Sequence, residues 1–132
     1  MTTWMVIEDE PDLHEMLTIM VQTIGHEVLG FSNGEAALDW LNTVDTDEAN
    51  GALPELALID IRLPGTIYGP DVAAKLRKNP ATQEMAIVLM TAYRLSAKEE
   101  TEIMNFATPD MMLYKPLPDF AIFRRKLEDL LM

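Results

Sequence analysis

The chain has 132 residues, 48% of them hydrophobic, no cysteine, and 22 Asp and Glu against 10 Lys and Arg, a formal net charge of −12. A domain of this length buries roughly two-thirds of the surface its unfolded chain exposes and needs no covalent staple. The missing thiols exclude disulfide scaffolds, thiol catalysis and cysteine-ligated zinc or iron–sulfur centres. The acidity argues against nucleic-acid binding by the domain. No segment approaches the ~18–20 apolar residues of a membrane helix. The stretch Met1 to Glu8 has no basic residues and reaches acid after a short apolar run, unlike a secretory signal. One cytoplasmic domain over residues 1–132 is expected.

Trp4–Ile7 is a short, nearly continuous apolar run and predicts a strand. Leu13, Met16, Leu17, Met20, Val21 and Ile24 follow at helical spacing, with Pro11 and Asp12 suited to the start and Gly25 to the stop. Val28–Phe31 predicts a second strand, and Gly34–Leu41 a shorter helix rich in alanine and leucine. The polar stretch 42–54, with Asp45, Asp47, Glu48 and Gly51, predicts an exposed loop and not an interdomain linker, because both its flanks belong to one sheet. Leu56–Ile61 is the third predicted strand. Pro70–Lys78 is the third helix, with Val72, Ala73 and Leu76 inward and Asn79-Pro80 as its stop. Ala86–Met90 predicts a fourth strand, and Ser96-Ala97-Lys98-Glu99 a capping box that opens the fourth helix. Met111–Tyr114 predicts the fifth strand. Asp119 caps a last helix whose stripe is Phe120, Phe123, Leu127 and Leu130.

Strand and helix alternate as (βα)₅. The runs at 4–7, 56–61 and 86–90 are apolar throughout, as strands covered by helices on both faces are. The expected fold class is therefore α/β, a doubly wound, five-stranded parallel sheet.

Such sheets bind ligands beyond the carboxyl ends of their strands. There the chain places Glu8-Asp9-Glu10 after the first strand, Asp60 at the end of the third, Thr91 after the fourth and Lys115-Pro116 after the fifth. Clustered carboxylates repel and raise one another's pKa unless a cation binds. Oxygen ligands without Cys or His favour a hard divalent ion, Mg²⁺ first. With Lys115 it would neutralise an incoming phosphoryl group, Asp60 would be the nucleophile that forms an acyl phosphate, and Thr91 would donate to a phosphoryl oxygen.

The segments Val6-Ile7-Glu8-Asp9-Glu10-Pro11, Ile59-Asp60-Ile61-Arg62-Leu63-Pro64-Gly65, Met90-Thr91-Ala92 and Tyr114-Lys115-Pro116 resemble those of response-regulator receiver domains of two-component signalling, over essentially the whole chain. The resemblance implies the CheY-like variant of the flavodoxin fold with strand order 2-1-3-4-5. It implies Asp60 as phosphoacceptor from a sensor histidine kinase or phosphotransfer protein, Thr91 as switch hydroxyl and Lys115 as the phosphate-pairing cation. Mg²⁺ would be held by Glu8, Asp9, Asp60 and the backbone carbonyl of Arg62, with Glu8 acting through water. A cis Lys115–Pro116 bond is also implied. Output would pass to an unknown protein partner through the face of the fourth helix, fifth strand and fifth helix, where Ile103, Met104, Phe106, Met111 and Met112 lie. Neither nucleic acid nor membrane would be a direct partner. The domain would be no enzyme beyond its own phosphotransfer and autodephosphorylation, and would stand alone or form a piece of a longer regulator or hybrid kinase.

Several positions depart from the family pattern. Met112 replaces the usual aromatic residue, Thr108-Pro109-Asp110 replaces the usual Gly-Ala-Asp turn, and the loop Pro64–Gly69 is about one residue longer. Arg62 and Tyr93, two residues past Asp60 and Thr91, would screen an attacking water and slow autodephosphorylation. Two rival functions are weaker. An aspartate-nucleophile phosphohydrolase would need an acid two residues past Asp60, where Arg62 stands; a flavodoxin-type carrier would not place Glu8-Asp9-Glu10 in its phosphate loop. His14 is expected to be solvated and His26 to be a turn residue. Trp4, Trp40 and most of the ten methionines are expected to pack in or near the core.

Overall fold

Apolar runs this short become strands when neighbouring strands take up their backbone hydrogen bonds. The structure, a computed structural model, describes residues 2–44 and 53–132, so most of the predicted 42–54 loop lies outside the described residues. Strands β1 (Thr3–Ile7), β2 (Glu27–Phe31), β3 (Leu56–Asp60), β4 (Ala86–Thr91) and β5 (Met111–Tyr114) alternate with helices α1 (Pro11–Ile24), α2 (Gly34–Asn42), α3 (Gly69–Lys78), α4 (Ala97–Ala107) and α5 (Phe120–Leu130). The strands pair in parallel in the order β2-β1-β3-β4-β5. This is the expected doubly wound arrangement.

Successive residues of a strand point to opposite faces, which divides the core in two. Met5, Ile7, Ile59 and Leu89 pack with Val72 and Leu76 of α3 on one face. Trp4, Val6, Leu58 and Val88 pack with Leu17 of α1 and Phe123 of α5 on the other. β1, β3 and β4 are buried throughout, whereas the edge strand β2 is partly exposed.

The helix ends follow their capping chemistry. Glu10 caps α1, its carboxylate accepting from the backbone N–H of Asp12 at 3.1 Å and of Leu13 at 2.7 Å, and Gly25 ends the helix in the left-handed conformation at φ 111°. The Ser96–Glu99 capping box and the Asp119 cap form as expected. Two stripe residues differ from expectation. Met16 is 51% exposed and Phe120 44% exposed, because the buried seams run along Leu17, Met20 and Val21 and along Phe123 and Leu127, leaving both on the flank of their helices. His26 is more than a turn residue. It stacks on buried Trp4, ring centres 4.5 Å apart, and shares a hydrogen bond with the Thr2 hydroxyl. No helix of the described residues is long and apolar enough to cross a membrane.

Candidate functional site

The carboxyl ends of β1, β3, β4 and β5 converge because all four strands run the same way in adjacent register: Ile7 pairs with Ile59, Asp60 with Met90, and Thr91 with Tyr114. The next residue of β1, Glu8, is 1% exposed, and Asp60 and Thr91 are 6% and 1% exposed, whereas Asp9 is exposed. Carboxylate oxygens of Glu8, Asp9 and Asp60 lie within 4.8 Å of one another. Lys115 reaches in from the end of β5, its Nζ 2.8 Å from Glu8 Oε1 and 3.5 Å from Asp60 Oδ1.

The electrostatics follow from that crowding. Burial, then the neighbouring Glu8 and Asp9 charges, push Asp60 up from 3.8 to about 6, against the opposing pull of Lys115. Partial burial opposes the charge on Lys115, yet the Glu8 and Asp60 carboxylates hold it above the usual lysine range. One cation facing three acids leaves an excess of negative charge on an all-oxygen donor set, which suits a hard divalent ion. The residues present thus fit a metal ion.

Local hydrogen bonds fix the frame. The Glu8 carboxylate accepts from the Glu10 N–H at 3.1 Å. His14 is half-buried, not solvated: its Nδ1 donates to the Glu8 carbonyl at 2.8 Å, because the first turn of α1 folds back over the end of β1. Thr91 Oγ1 accepts from the Tyr93 N–H at 3.1 Å, and its hydroxyl keeps a hydrogen to donate. Lys115–Pro116 is cis.

Residues 4–122 match the family model described as the response regulator receiver domain. The chain belongs to that family. It is 34% identical over 88 residues to the DNA-binding response regulator MtrA of Mycolicibacterium smegmatis, a match covering 67% of this chain and 33% of that protein. It is 27% identical over 116 residues to the phosphate regulon transcriptional regulatory protein PhoB of Rhizobium meliloti, covering 81% of this chain and 47% of that one. The chain thus spans less than half the length of these two relatives. Among solved structures it resembles the response regulator TrrA of Thermotoga maritima in complex with Mg²⁺-BeF, with 28% identity, a TM-score of 0.75 and coverage of 98% of this chain and 99% of that one. Receiver domains are signalling modules of two-component systems, phosphorylated in exchanges with histidine kinases or phosphotransfer proteins.

In this receiver domain Glu8, Asp9, Asp60 and Lys115 meet directly, with Thr91 one strand away from Asp60. On the α4–β5–α5 face only Met104 and Phe106 of the five named residues are exposed, 41% and 56%; Ile103, Met111 and Met112 are half-buried against the core. Two contacts around the site could not be read from the sequence. Gly69 sits against the Asp60 backbone, so that a Cβ there would collide with the Asp60 carbonyl oxygen. Tyr114 pairs with Thr91 and bonds through its hydroxyl to the Glu100 carboxylate of α4. Only a register for β5 could have placed that ring beside Thr91.

Proposed function

We propose that Asp60 is the phosphoacceptor and that Glu8, Asp9, Asp60 and the Arg62 carbonyl hold Mg²⁺ beside it. Bound there, Mg²⁺ would supply positive charge for the phosphoryl oxygens. An Asp60 carboxylate oxygen attacks the phosphorus of a partner's phosphohistidine; the O–P bond forms as the N–P bond breaks, and the imidazole leaves with the electron pair and takes up a proton. Lys115 turns from the carboxylates to the phosphoryl group, and Thr91 donates its hydroxyl hydrogen to a phosphoryl oxygen. The observation that carries this is the meeting of three carboxylates within 4.8 Å with Lys115 bridging two of them.

Thr91 and its β5 neighbour Tyr114 link the site to α4, so phosphorylation shifts the population of the α4–β5–α5 face toward a partner-binding conformation. The partner is a protein; a net charge of −12 leaves nucleic acid to other segments of any longer regulator. We place the domain in the cytoplasm, as a single unit over 1–132 with no turnover beyond its own phosphotransfer and autodephosphorylation. Intact mass after incubation with Mg²⁺ and a small acyl phosphate tests the assignment. One phosphoryl addition is expected that needs Mg²⁺ and is lost in Asp60→Asn; addition that survives in the variant overturns it.

A further inference from the structure

The loop 62–68 leaves β3 and returns to it. The Gly69 N–H donates to the Ile61 carbonyl at 2.9 Å, and a Cβ on Gly69 would stand 2.9 Å from the Ile61 Cα as well as colliding with Asp60. The loop is therefore a hoop based on the backbone of Asp60 and Ile61, with Arg62 its first residue. Its near side is seated by Ile61 and Leu63, 7% and 5% exposed.

Its far side, Pro64 to Thr66, is exposed and is tied down from another element. Glu35, in the first turn of α2, turns its carboxylate onto it. Oε2 accepts from the Thr66 N–H at 3.0 Å and from the Thr66 hydroxyl at 3.4 Å. Gly65, at φ 86°, brings its backbone against the same carboxylate, so that a Cβ would lie 3.0 Å from Cδ and would strain the turn besides. Beside it Gly34 lets the start of α2 meet Ile67, where a Cβ would stand 2.8 Å from the Ile67 carbonyl oxygen. The Thr66 N–H holds the Glu35 carboxyl below the usual range, so the group is charged at neutral pH. Its Oε1 accepts no well-formed hydrogen bond among the described residues, although the backbone of Glu35 itself and of Ile67 also helps to hold the carboxyl charged.

We propose that Glu35 is a positioning residue for the phosphotransfer site. By clamping the Gly65–Thr66 turn to α2 it fixes the hoop that starts at Arg62, and with it the Arg62 carbonyl beside Asp60. This rests on the ligand set proposed above. Releasing the clamp loosens one metal ligand and leaves Asp60, Thr91 and Lys115 in place, so the loss falls on Mg²⁺ affinity and not on the rate once Mg²⁺ saturates.

The experiment compares wild type with Glu35→Ala, Glu35→Gln and Gly65→Ala. Calorimetry gives the Mg²⁺ affinity of the unphosphorylated proteins, and intact mass gives the rate of phosphorylation by an acyl phosphate against Mg²⁺ concentration. Glu35→Ala and Gly65→Ala should each weaken Mg²⁺ binding about tenfold. Their rates at saturating Mg²⁺ should stay within about twofold of wild type. Glu35→Gln, which keeps an acceptor for the Thr66 N–H, should restore most of the affinity. Gly65→Ala alters only an exposed turn and keeps the test open should Glu35→Ala fold poorly. Unchanged Mg²⁺ affinity in both alanine variants overturns the proposal, as does a saturating rate that falls in parallel with affinity. A wild type that takes up no phosphoryl group overturns the Asp60 assignment instead.

Discussion

The guanidinium carbon of Arg62 lies 4.0 Å from the centre of the Tyr93 ring, on the open side of the site. Each residue follows a buried site residue by two positions, Asp60 and Thr91, at the ends of adjacent strands. Both side chains are exposed, and the Tyr93 N–H donates to the Thr91 hydroxyl at 3.1 Å, so the ring is tied to the residue that would contact a phosphoryl oxygen. A cation over a ring holds both at a cost of about 0.5–1 kcal/mol to separate at an exposed position. If Asp60 carries the phosphoryl group as proposed, the pair would screen it from an attacking water.

Removing that screen should shorten the life of the phosphorylated state. Arg62→Asn combined with Tyr93→Glu should speed loss of the phosphoryl group about tenfold, equivalent to about 1.4 kcal/mol of barrier. Intact mass against time after removal of the donor measures it. An unchanged lifetime would leave the stacked pair without a role in hydrolysis.

Asp60 makes the metal-free protein sensitive to pH in a definite direction. Its pKa is raised from 3.8 to about 6, chiefly by burial and by Glu8, so the folded state prefers the neutral acid. That preference is fully present below the unfolded value of 3.8 and is lost as pH rises through about 6. Ionised Asp60 therefore costs roughly 2–3 kcal/mol at neutral pH. Asp60→Asn, without metal, should be more stable than wild type by about 2 kcal/mol at neutral pH, and the gap should close as the pH falls through about 6. Mg²⁺ should raise the melting temperature of wild type far more than that of the variant. Melting curves across pH, with and without Mg²⁺, decide this; a gap independent of pH would place the cost elsewhere.

The strands were legible in the sequence because each is local, and the carboxylate cluster because each of its members ends or directly follows a strand. An apolar run in β1 or β3 announces itself, and parallel topology then carries Glu8, Asp60, Thr91 and Lys115 to one edge without further information. What stayed illegible depends on the return of distant segments. Glu35 reads as an ordinary acid in the first turn of α2, and only the fold brings Thr66 onto it. His14 gives no sign that α1 will bring its ring under the Glu8 carbonyl. Met112 reads as a missing aromatic; the structure shows it packed against the core while Tyr114, on the same face of β5, stands opposite Thr91. Asp110 behaves similarly: it receives Arg77 from α3 at 2.7 Å and the Ile87 N–H at 2.8 Å, holding the atypical Thr108-Pro109-Asp110 turn to β4.

Lys115 faces Glu8, whose side chain is 1% exposed, and its removal would leave that charge and Asp60 without a cation. Lys115→Met should cost the metal-free protein about 3 kcal/mol. The loss should be smaller in an Asp60→Asn background, because the two sites share one set of interactions. Mg²⁺ should recover most of the stability of Lys115→Met, since the ion compensates the same carboxylates, while the rate of phosphorylation stays depressed. Denaturant titration of the four proteins closes the cycle. Additive effects would mean that Lys115 and Asp60 do not act on each other.

Gly69 tests whether the site depends on the close return of the hoop. The three nearest atoms a Cβ would meet there are all backbone: the carbonyl group of Asp60 and the Cα of Ile61. No flexible side chain can swing aside, so Gly69→Ala must displace either the start of α3 or the end of β3. Overpacking of this kind costs about 1–3 kcal/mol. Because Val72 and Leu76 anchor α3 in the core at 1% exposure each, part of the displacement should fall on Asp60 itself. Gly69→Ala should then slow phosphorylation at saturating Mg²⁺, in contrast to release of the Glu35 clamp, whose effect is confined to Mg²⁺ affinity. Melting temperature and the Mg²⁺ dependence of phosphorylation, measured on the same preparation, separate the two. A Gly69→Ala protein that is destabilised yet phosphorylated at the wild-type rate would show that the strain is absorbed by α3 alone.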